Sequence, residues 1–318
     1  MNKTLKIILA SLWILIALVL TVFLIKGLDE SFDFHLKGFK GWKFSKSWGY
    51  TDGSLVESTS SGPNTEVVNI SNNISKLDVE LINEKFTLEV WDENYAEITI
   101  VSSYPESYRP KVYQNGETVQ IKAPNRNNAK LRIINDYVTV KLPKSFAKNL
   151  SLCDVDIVSG SVTVSDIKAT KGSFSTVSGS VSISDSDFSK LVCDSVSGSL
   201  KTDNCKVEEI SGESVSGSIH FVSDVKNNFN LSSVSGSIKI ETNTMPSLGG
   251  DCEAMSGSVR VYIPENDGFT LNYETVSGSV TNEFTNSKFR KSGENTYKNG
   301  NVDFDIQTIS GSISVLKK

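Results

Sequence analysis

Four polar residues at nearly equal spacing are the part of the sequence best suited to chemistry. They are Asp166, Asp185, Asn204 and Asp224. Stacked carboxylates beside a basic residue, often with calcium, are what many polysaccharide-cleaving enzymes use. Asp and Asn are also common in tight turns, because their short side chains tolerate turn geometry. We favour the turn interpretation and keep a carbohydrate-active enzyme, a polysaccharide lyase or hydrolase, as the alternative.

The histidines and cysteines do not indicate a catalytic or metal site. His35 and His220 are the only histidines, so neither a Ser-His-Asp set nor a His-rich zinc site is indicated. Cys193 and Cys252 each stand five residues before a recurring glycine and are expected to fill the core as small apolar residues. The same column holds Val155, Phe174 and Leu231. A disulfide between Cys193 and Cys205 is conceivable but not indicated. We expect no catalytic residue, cofactor or metal.

One motif, Ser-Gly-Ser, recurs eight times in the second half of the chain. Its central glycines are Gly160, Gly179, Gly198, Gly217, Gly236, Gly257, Gly278 and Gly311. The steps between them are 19, 19, 19, 19, 21, 21 and 33 residues. A period near 20 is typical of stacked units that bury their apolar faces against one another. We interpret these glycines as structural corners, where the chain needs a positive φ or a close backbone approach.

The residues around each glycine alternate between apolar and polar, as in Val162-Thr163-Val164. This is the period of a strand with one buried face, and the spacing that a helix needs is missing. Apolar residues stand two positions before and two positions after each glycine, and both columns are expected to stack inside. Coils about 4.8 Å apart would then form a parallel β-helix or β-solenoid with 19–21 residues per coil.

An apolar run near the N-terminus predicts a membrane anchor. Residues 7–25 contain no charged side chain, and 19 residues of helix are about long enough to cross a bilayer. Lys3 and Lys6 precede the run, which favours a cytoplasmic N-terminus and an exported body. A cleaved signal peptide is the alternative, but no small-residue cleavage site closes the run. We therefore expect one transmembrane helix and a single-pass protein of the cytoplasmic membrane with an extracytoplasmic C-terminal body.

Changes in pattern divide the chain into four parts. Residues 1–26 are the cytoplasmic stub and anchor, and residues 27–66 are a linker or N-terminal cap rich in Gly, Ser, Lys and aromatic residues. Those aromatic residues could instead lie at the membrane–water interface. Residues 67–150 alternate as strands without the Ser-Gly-Ser corner and are expected to be leading β coils. Residues 151–318 are the repeat solenoid.

Charge limits the classes of partner. The chain carries 32 Lys and Arg against 37 Asp and Glu, a formal net charge of −5. Its basic residues are scattered along the sequence, so a nucleic-acid partner is not expected. The expected partners are the membrane, through the anchor, and a cell-wall polymer or an envelope protein.

Three kinds of segment resemble a bacterial putative adhesin domain family of unknown function, found in LiaG-like membrane-anchored envelope proteins. They are the VSGSV-type repeats, the strands "LDVELINEKFTLEVW" and "VTVKLPKSF", and the later "VYIPENDGFTLNYETVSGSV". The resemblance covers about residues 70 to 315. It implies a β-solenoid, often behind a membrane anchor, associated with the cell envelope and its stress responses. No catalytic residue carries over from the family.

Overall fold

The computed structural model describes residues 53–124 and 136–318, together with the backbone of two short strands, β1 (Asp33–Phe34) and β2 (Trp42–Lys43), which pair antiparallel. The chain forms two compact units, Met1–Tyr50 and Thr51–Lys318. The expected anchor, residues 7–25, and most of the expected linker lie outside the described residues. Within the described part, no helix has the length and apolar character that a membrane span requires.

The first strands of the second unit build the beginning of a stack. They are β3 (Ser54–Leu55), β4 (Thr59–Gly62), β5 (Thr65–Ile70), β6 (Lys76–Leu81), β7 (Lys85–Trp91), β8 (Ala96–Val101), β9 (Lys111–Asn115), β10 (Thr118–Lys122) and β11 (Tyr137–Pro143). A 3-10 turn covers Glu106–Tyr108, and α1 is the single turn Lys144–Ala147. The coil β10–β11 pairs in parallel with the earlier coil β6–β7. Antiparallel strands β9 and β8 then cover β10 and β11.

The regular middle of the stack follows. Its strands are β12 (Leu150–Ile157), β13 (Val162–Ser165), β14 (Lys168–Thr176), β15 (Val181–Ser184), β16 (Asp187–Ser195), β17 (Leu200–Ser214), β18 (Ile219–Ser235), β19 (Ile238–Glu241), β20 (Gly249–Ser256) and β21 (Val259–Ile263). All neighbours pair in parallel, and Val162 pairs with Val181, which pairs with Leu200. The step of 19 residues seen in the sequence is therefore the length of one coil, and the all-β, solenoid-like prediction is confirmed.

The last strands depart from sequence order. They are β22 (Gly268–Ser277), β23 (Val280–Asn282), β24 (Ser287–Phe289), β25 (Ser292–Lys298), β26 (Asp303–Ser310) and β27 (Ile313–Lys317). The final coil, β26–β27, lies between β20–β21 and β22–β23 and pairs in parallel with both. The long step of 33 residues contains β24 and β25, which pair antiparallel with β23 and β22. At both ends, antiparallel strands thus cover the edges of the terminal parallel coils.

Each coil contributes to two faces, named here by their strands. Face A contains the strand segments just before each corner, in β6, β12, β14, β16, β20, β22, β26 and the second halves of β17 and β18. Face B contains the segments just after each corner, in β7, β13, β15, β19, β21, β23, β27 and the first halves of β17 and β18. The space between them is the core.

The column two residues after each glycine is fully buried, as expected. It holds Val162, Val181, Leu200, Ile219, Ile238, Val259, Val280 and Ile313. Opposite it, Phe174, Cys193 and Leu231 also have no exposed surface. Burial of such side chains contributes about 1.5–3 kcal/mol each, so these stacked columns are the main source of stability.

The column two residues before each glycine lies mostly outside, which corrects the expectation that it stacks in the core; Val234, at 7% exposed, is the member that is buried. Val158, Val177 and Val196 are only half-buried, and Val276 is 59% exposed. The buried position comes one residue earlier in the chain and holds Ile157, Thr176, Ser195, Ser214 and Ser233. Because strand alternation continues up to the corner, the last side chain before it must point outward.

Candidate interaction surface

The repeat glycines allow the backbones of successive coils to touch. A Cβ on Gly179 would stand 1.8 Å from the carbonyl oxygen of Gly160, and one on Gly217 would stand 1.9 Å from that of Gly198. The glycines with positive φ are others, Gly116 among them. Of the two reasons proposed from the sequence, close approach is therefore correct, and positive φ is not the reason for the repeat corners.

Hydroxyl groups complete the corners from inside. Ser195 Oγ donates to the carbonyl oxygen of Gly179 at 3.4 Å, and Thr308 Oγ1 donates to that of Gly257 at 3.1 Å. These hydroxyls are buried, and they occupy the column that the sequence analysis had not assigned to the core. A small hydroxyl residue at this position donates a hydrogen bond to the glycine carbonyl oxygen of the neighbouring corner. These hydrogen bonds form on the inner side of the corners, which gives the corners a structural role.

The structure does not keep the four polar residues of the sequence in one line. Asp166, Asp185 and Asn204 have φ values of 61°, 49° and 50°, the left-handed turn conformation that Asn and Asp tolerate. Asn204 Nδ2 donates to Asp185 Oδ1 at 2.6 Å. Asp224 lies within β18, beyond a bulge between β17 and β18, and accepts from Asn243 Nδ2 at 2.8 Å.

These contacts give the Asp and Asn side chains a turn-stabilising role. The side-chain amides of Asn204 and Asn243 face Asp185 and Asp224 at hydrogen-bonding distance. In the described part of the chain, no three His, Cys, Asp or Glu side chains are grouped so that they could share a metal ion. The geometry therefore offers turn stabilisation, and the separation of Asp224 from the other three breaks the single line that the sequence suggested.

All four cysteines are free and buried. Cys193 pairs in register with Phe174, and Cys252 pairs with Leu231, so both occupy the core column assigned to them from the sequence. Burial raises the pKa of the Cys205 thiol to about 11 and that of Cys193 well above its usual value. Such thiols stay protonated and unreactive at neutral pH.

The outward side of face A is acidic. Asp154 and Asp156 on β12, Asp194 on β16 and Glu253 on β20 project outward, and each has a raised pKa. For Asp156 and Asp194 the pKa rises to about 7, first because of burial and then because of the nearby carboxylates of Asp154 and Glu213 respectively. Asp154 and Asp156 lie two residues apart on one strand, and Asp194 lies opposite Glu213 on the neighbouring strand. Like charges this close repel one another, so protonation is favoured.

A lysine compensates part of this acidic face at the first coils. Lys122 Nζ is 2.7 Å from Asp78 Oδ1 and 2.6 Å from Glu80 Oε1, and Lys122 itself is 4% exposed. Lys122 and Glu80 lie directly opposite each other on β10 and β6. This buried ion pair therefore ties the outer N-terminal coil to the next one.

The outward side of face B carries a basic column that the sequence analysis missed. Lys201, His220, Lys239 and Arg260 pair in register on neighbouring strands. We name these four residues the basic strip. In the sequence they are 19 to 21 residues apart and look scattered, but each stands three positions after a repeat glycine. That constant offset was the signal by which the strip could have been found.

The fold and its outward columns define the class of the protein, a capped parallel β-solenoid that presents long ladders of like side chains. The chain belongs to the family described as Toastrack DUF4097, whose model matches residues 74–316. Membership confirms the family resemblance seen in the sequence. No match to this chain is found among curated proteins.

Solved structures are similar to this chain at low sequence identity. A putative adhesin from Bacteroides fragilis is 12% identical, with a TM-score of 0.50 over 80% of this chain and 98% of its own. A putative lipid binding protein from Parabacteroides distasonis is 20% identical, with a TM-score of 0.48 over 80% and 97% of the two chains. A putative adhesin from Parabacteroides merdae is 11% identical, with a TM-score of 0.43 over 80% and 97%. The first of these supports a common fold.

Proposed function

We propose that the protein is a non-enzymatic binding scaffold, anchored in the cytoplasmic membrane by residues 7–25, with its solenoid on the outer side. One observation carries the proposal: outward positions of the parallel stack repeat coil after coil, so that face B presents one extended surface instead of a pocket. A surface of this kind suits a long or repetitive partner in the cell envelope. The Bacteroides fragilis protein of the same fold is itself named a putative adhesin.

The contacts of the acidic residues support a scaffold over an enzyme. General acid–base catalysis needs an acid and a base within hydrogen-bond reach of one reacting bond. Asp185 and Asp224 instead accept hydrogen bonds from Asn204 and Asn243. The contacts of Asp185 and Asp224 therefore offer no pair of carboxyl groups for glycosidic cleavage.

Reporter fusions test the topology on which the proposal depends. A reporter that is active only after export should be active when fused after Lys318, and a cytoplasmic reporter at the same point should be silent. The reverse pattern would show that the anchor and localisation are wrong. Crosslinking of the full chain in intact cells should then recover envelope material, and recovery of cytoplasmic material alone would contradict the scaffold.

A further inference from the structure

The basic strip is a straight line of four cationic or basic side chains. Lys201 pairs with His220, His220 with Lys239, and Lys239 with Arg260. With strands about 4.8 Å apart, the four positions span roughly 14 Å. Lys201 and Arg260, at the two ends, are exposed, and His220 and Lys239 are half-buried. The line follows the axis of the stack and is one residue wide.

Hydroxyl groups surround the strip on two sides. The strip's own column continues into Thr163 and Ser182 before Lys201, and into Ser314 and Thr281 after Arg260. The next column toward the corner consists of serines in every repeat: Ser161, Ser180, Ser199, Ser218, Ser237, Ser258, Ser279 and Ser312. These two columns contain no carboxylate in any of the eight repeats. Together they offer a band of hydrogen-bond donors and positive charge.

The counter-charges lie one column further from the corner. Glu241 Oε1 is 2.5 Å from Lys239 Nζ and 3.5 Å from His220 Nε2, and Asp203 lies two residues after Lys201. Lys239 Nζ also lies 5.2 Å from the ring centre of Tyr262. In the described part of the chain, neither Lys201 nor Arg260 has a carboxylate within 4 Å. Among the described residues, therefore, the two end cations have no ion pair, whereas Glu241 partly neutralises Lys239 and His220 at the centre of the strip.

We propose that the basic strip binds a linear polymer carrying a phosphodiester in each repeat unit, an inference that rests on the proposed scaffold function and names its ligand class. A single extended chain matches a line of charges one residue wide. A membrane plane or a nucleic-acid duplex would need a broader basic surface. The neighbouring column toward the corner is serine in every repeat. The column on the other side interrupts its apolar side chains, Val222, Tyr262 and Leu316, with Glu241, so the strip is not flanked by the continuous apolar surface that insertion into lipid requires.

The donors of the strip suit a phosphodiester. The non-bridging oxygens of a phosphodiester accept from guanidinium, ammonium and hydroxyl groups at the same time, and bonds to charged donors are the stronger ones. Arg260 supplies a planar guanidinium, Lys201 and Lys239 supply ammonium groups, and the serine column supplies hydroxyls along the whole length. The bound polymer would lie parallel to the stack axis, with successive phosphates meeting successive coils.

The test uses the purified full chain in detergent and fluorescent poly(glycerol phosphate) at low ionic strength. The double variant Lys201→Gln, Arg260→Gln removes the two unpaired cations and should weaken binding at least tenfold. Since each cation that neutralises a phosphate releases counter-ions, the slope of log affinity against log salt should also fall by about 1 to 2. The matched control is Lys168→Gln, Lys206→Gln, which removes the same charge from exposed lysines outside the strip and should change affinity less than threefold.

A second variant tests the strip in the opposite direction. Glu241→Gln removes the carboxylate beside Lys239 and His220 and should strengthen binding severalfold. Because all the substituted side chains lie on the outside, thermal melts should show each variant folded like the wild type. Equal weakening in the strip and control variants would overturn the inference, since it would show that only net charge matters.

The competing ligands are further arms of the same experiment. Polygalacturonate, which carries carboxylates, duplex DNA, and vesicles of anionic lipid should each bind more weakly than poly(glycerol phosphate) at matched charge concentration. Tighter binding of any of them would show that the phosphodiester assignment is wrong. If poly(glycerol phosphate) does not bind but the full chain still crosslinks to envelope material, the strip inference fails while the scaffold stands. If the purified chain binds poly(glycerol phosphate) but the reporter fusions show that it is not exported, the strip inference stands while the scaffold proposal fails.

Discussion

At the scale of single residues, the repeat glycines matter because of the space around them. Each stands so close to the preceding corner that a Cβ would overlap a carbonyl oxygen. Positive φ is found instead at Gly116, where φ is 57° and no atom lies within 4 Å of a Cβ position. The two kinds of glycine should therefore respond differently to substitution.

Substitutions at Gly217 and Gly116 should follow opposite orders. At Gly217, alanine should lower the free energy of unfolding by about 1–3 kcal/mol through overpacking, and asparagine and valine, which are larger, should lower it more. At Gly116, asparagine should be tolerated best, because it adopts positive φ more readily than alanine or valine. Urea denaturation of each variant gives the comparison.

Ser216→Ala provides the control beside the corner. The Ser216 side chain is exposed, so its loss should lower stability by about 1 kcal/mol or less. If asparagine were the mildest substitution at Gly217, positive φ would be the correct reason for the repeat glycines after all.

At the scale of elements, the insertion of β26–β27 makes the C-terminal strand an internal part of the stack. Ile313 on β27 has no exposed surface and pairs with Val259 on β21 and Val280 on β23. A last coil that simply followed the others would touch only one neighbour. The last coil instead packs between two coils that come earlier in the sequence, β20–β21 and β22–β23.

Removing residues 313–318 should therefore loosen both neighbours of β27. Hydrogen exchange should quicken in β21 and in β23, because β23 loses its parallel partner and β21 loses one of its two, keeping β19. Deletion of Lys318 alone is the control and should leave the exchange of β23 unchanged. Faster exchange in β23 with full protection in β21 would contradict the inserted position of the last coil.

At the scale of the whole molecule, stability should depend on pH through face A. The pKa values of Asp156 and Asp194 are raised to about 7 in the folded protein, whereas an unfolded Asp ionises near 3.9. Between these values the folded state holds more protons than the unfolded state, so the contribution of these groups falls as pH rises from about 4 to about 7. Above that range it is constant.

The variant Asp194→Asn should melt like the wild type near pH 4 and at a higher temperature than the wild type at pH 8. Asparagine resembles the protonated carboxyl group and removes the charge that burial and Glu213 disfavour. Asp203→Asn, at an exposed position on face B, is the control and should give no such gain at pH 8. An equal melting temperature of Asp194→Asn and the wild type at pH 8 would show that Asp194 is not the source.

The sequence alone determined the all-β class, the coil length, the family and the main buried columns. Alternation and a fixed period are local properties, and the constant offsets of Val162, Val181 and Ile238 from their glycines are visible without any structure. The column before the corner was misassigned because an apolar side chain at a chain reversal does not reveal by itself which way it points. An error of one residue in the alternation placed Val158 in the core, whereas Ile157 occupies that position in the structure.

Only the tertiary structure decided the order of the last coils, the reason for the glycines and the basic strip. Gly311 follows Gly278 in the chain but lies next to Gly257 in the stack, because the antiparallel strands β24 and β25 leave a place that the final strands fill. Lys201 and Arg260 lie 59 residues apart in sequence yet only three strand steps apart in space. In a solenoid, stacking turns a distance of one coil along the chain into about 4.8 Å, and charges that look scattered in the sequence become neighbours.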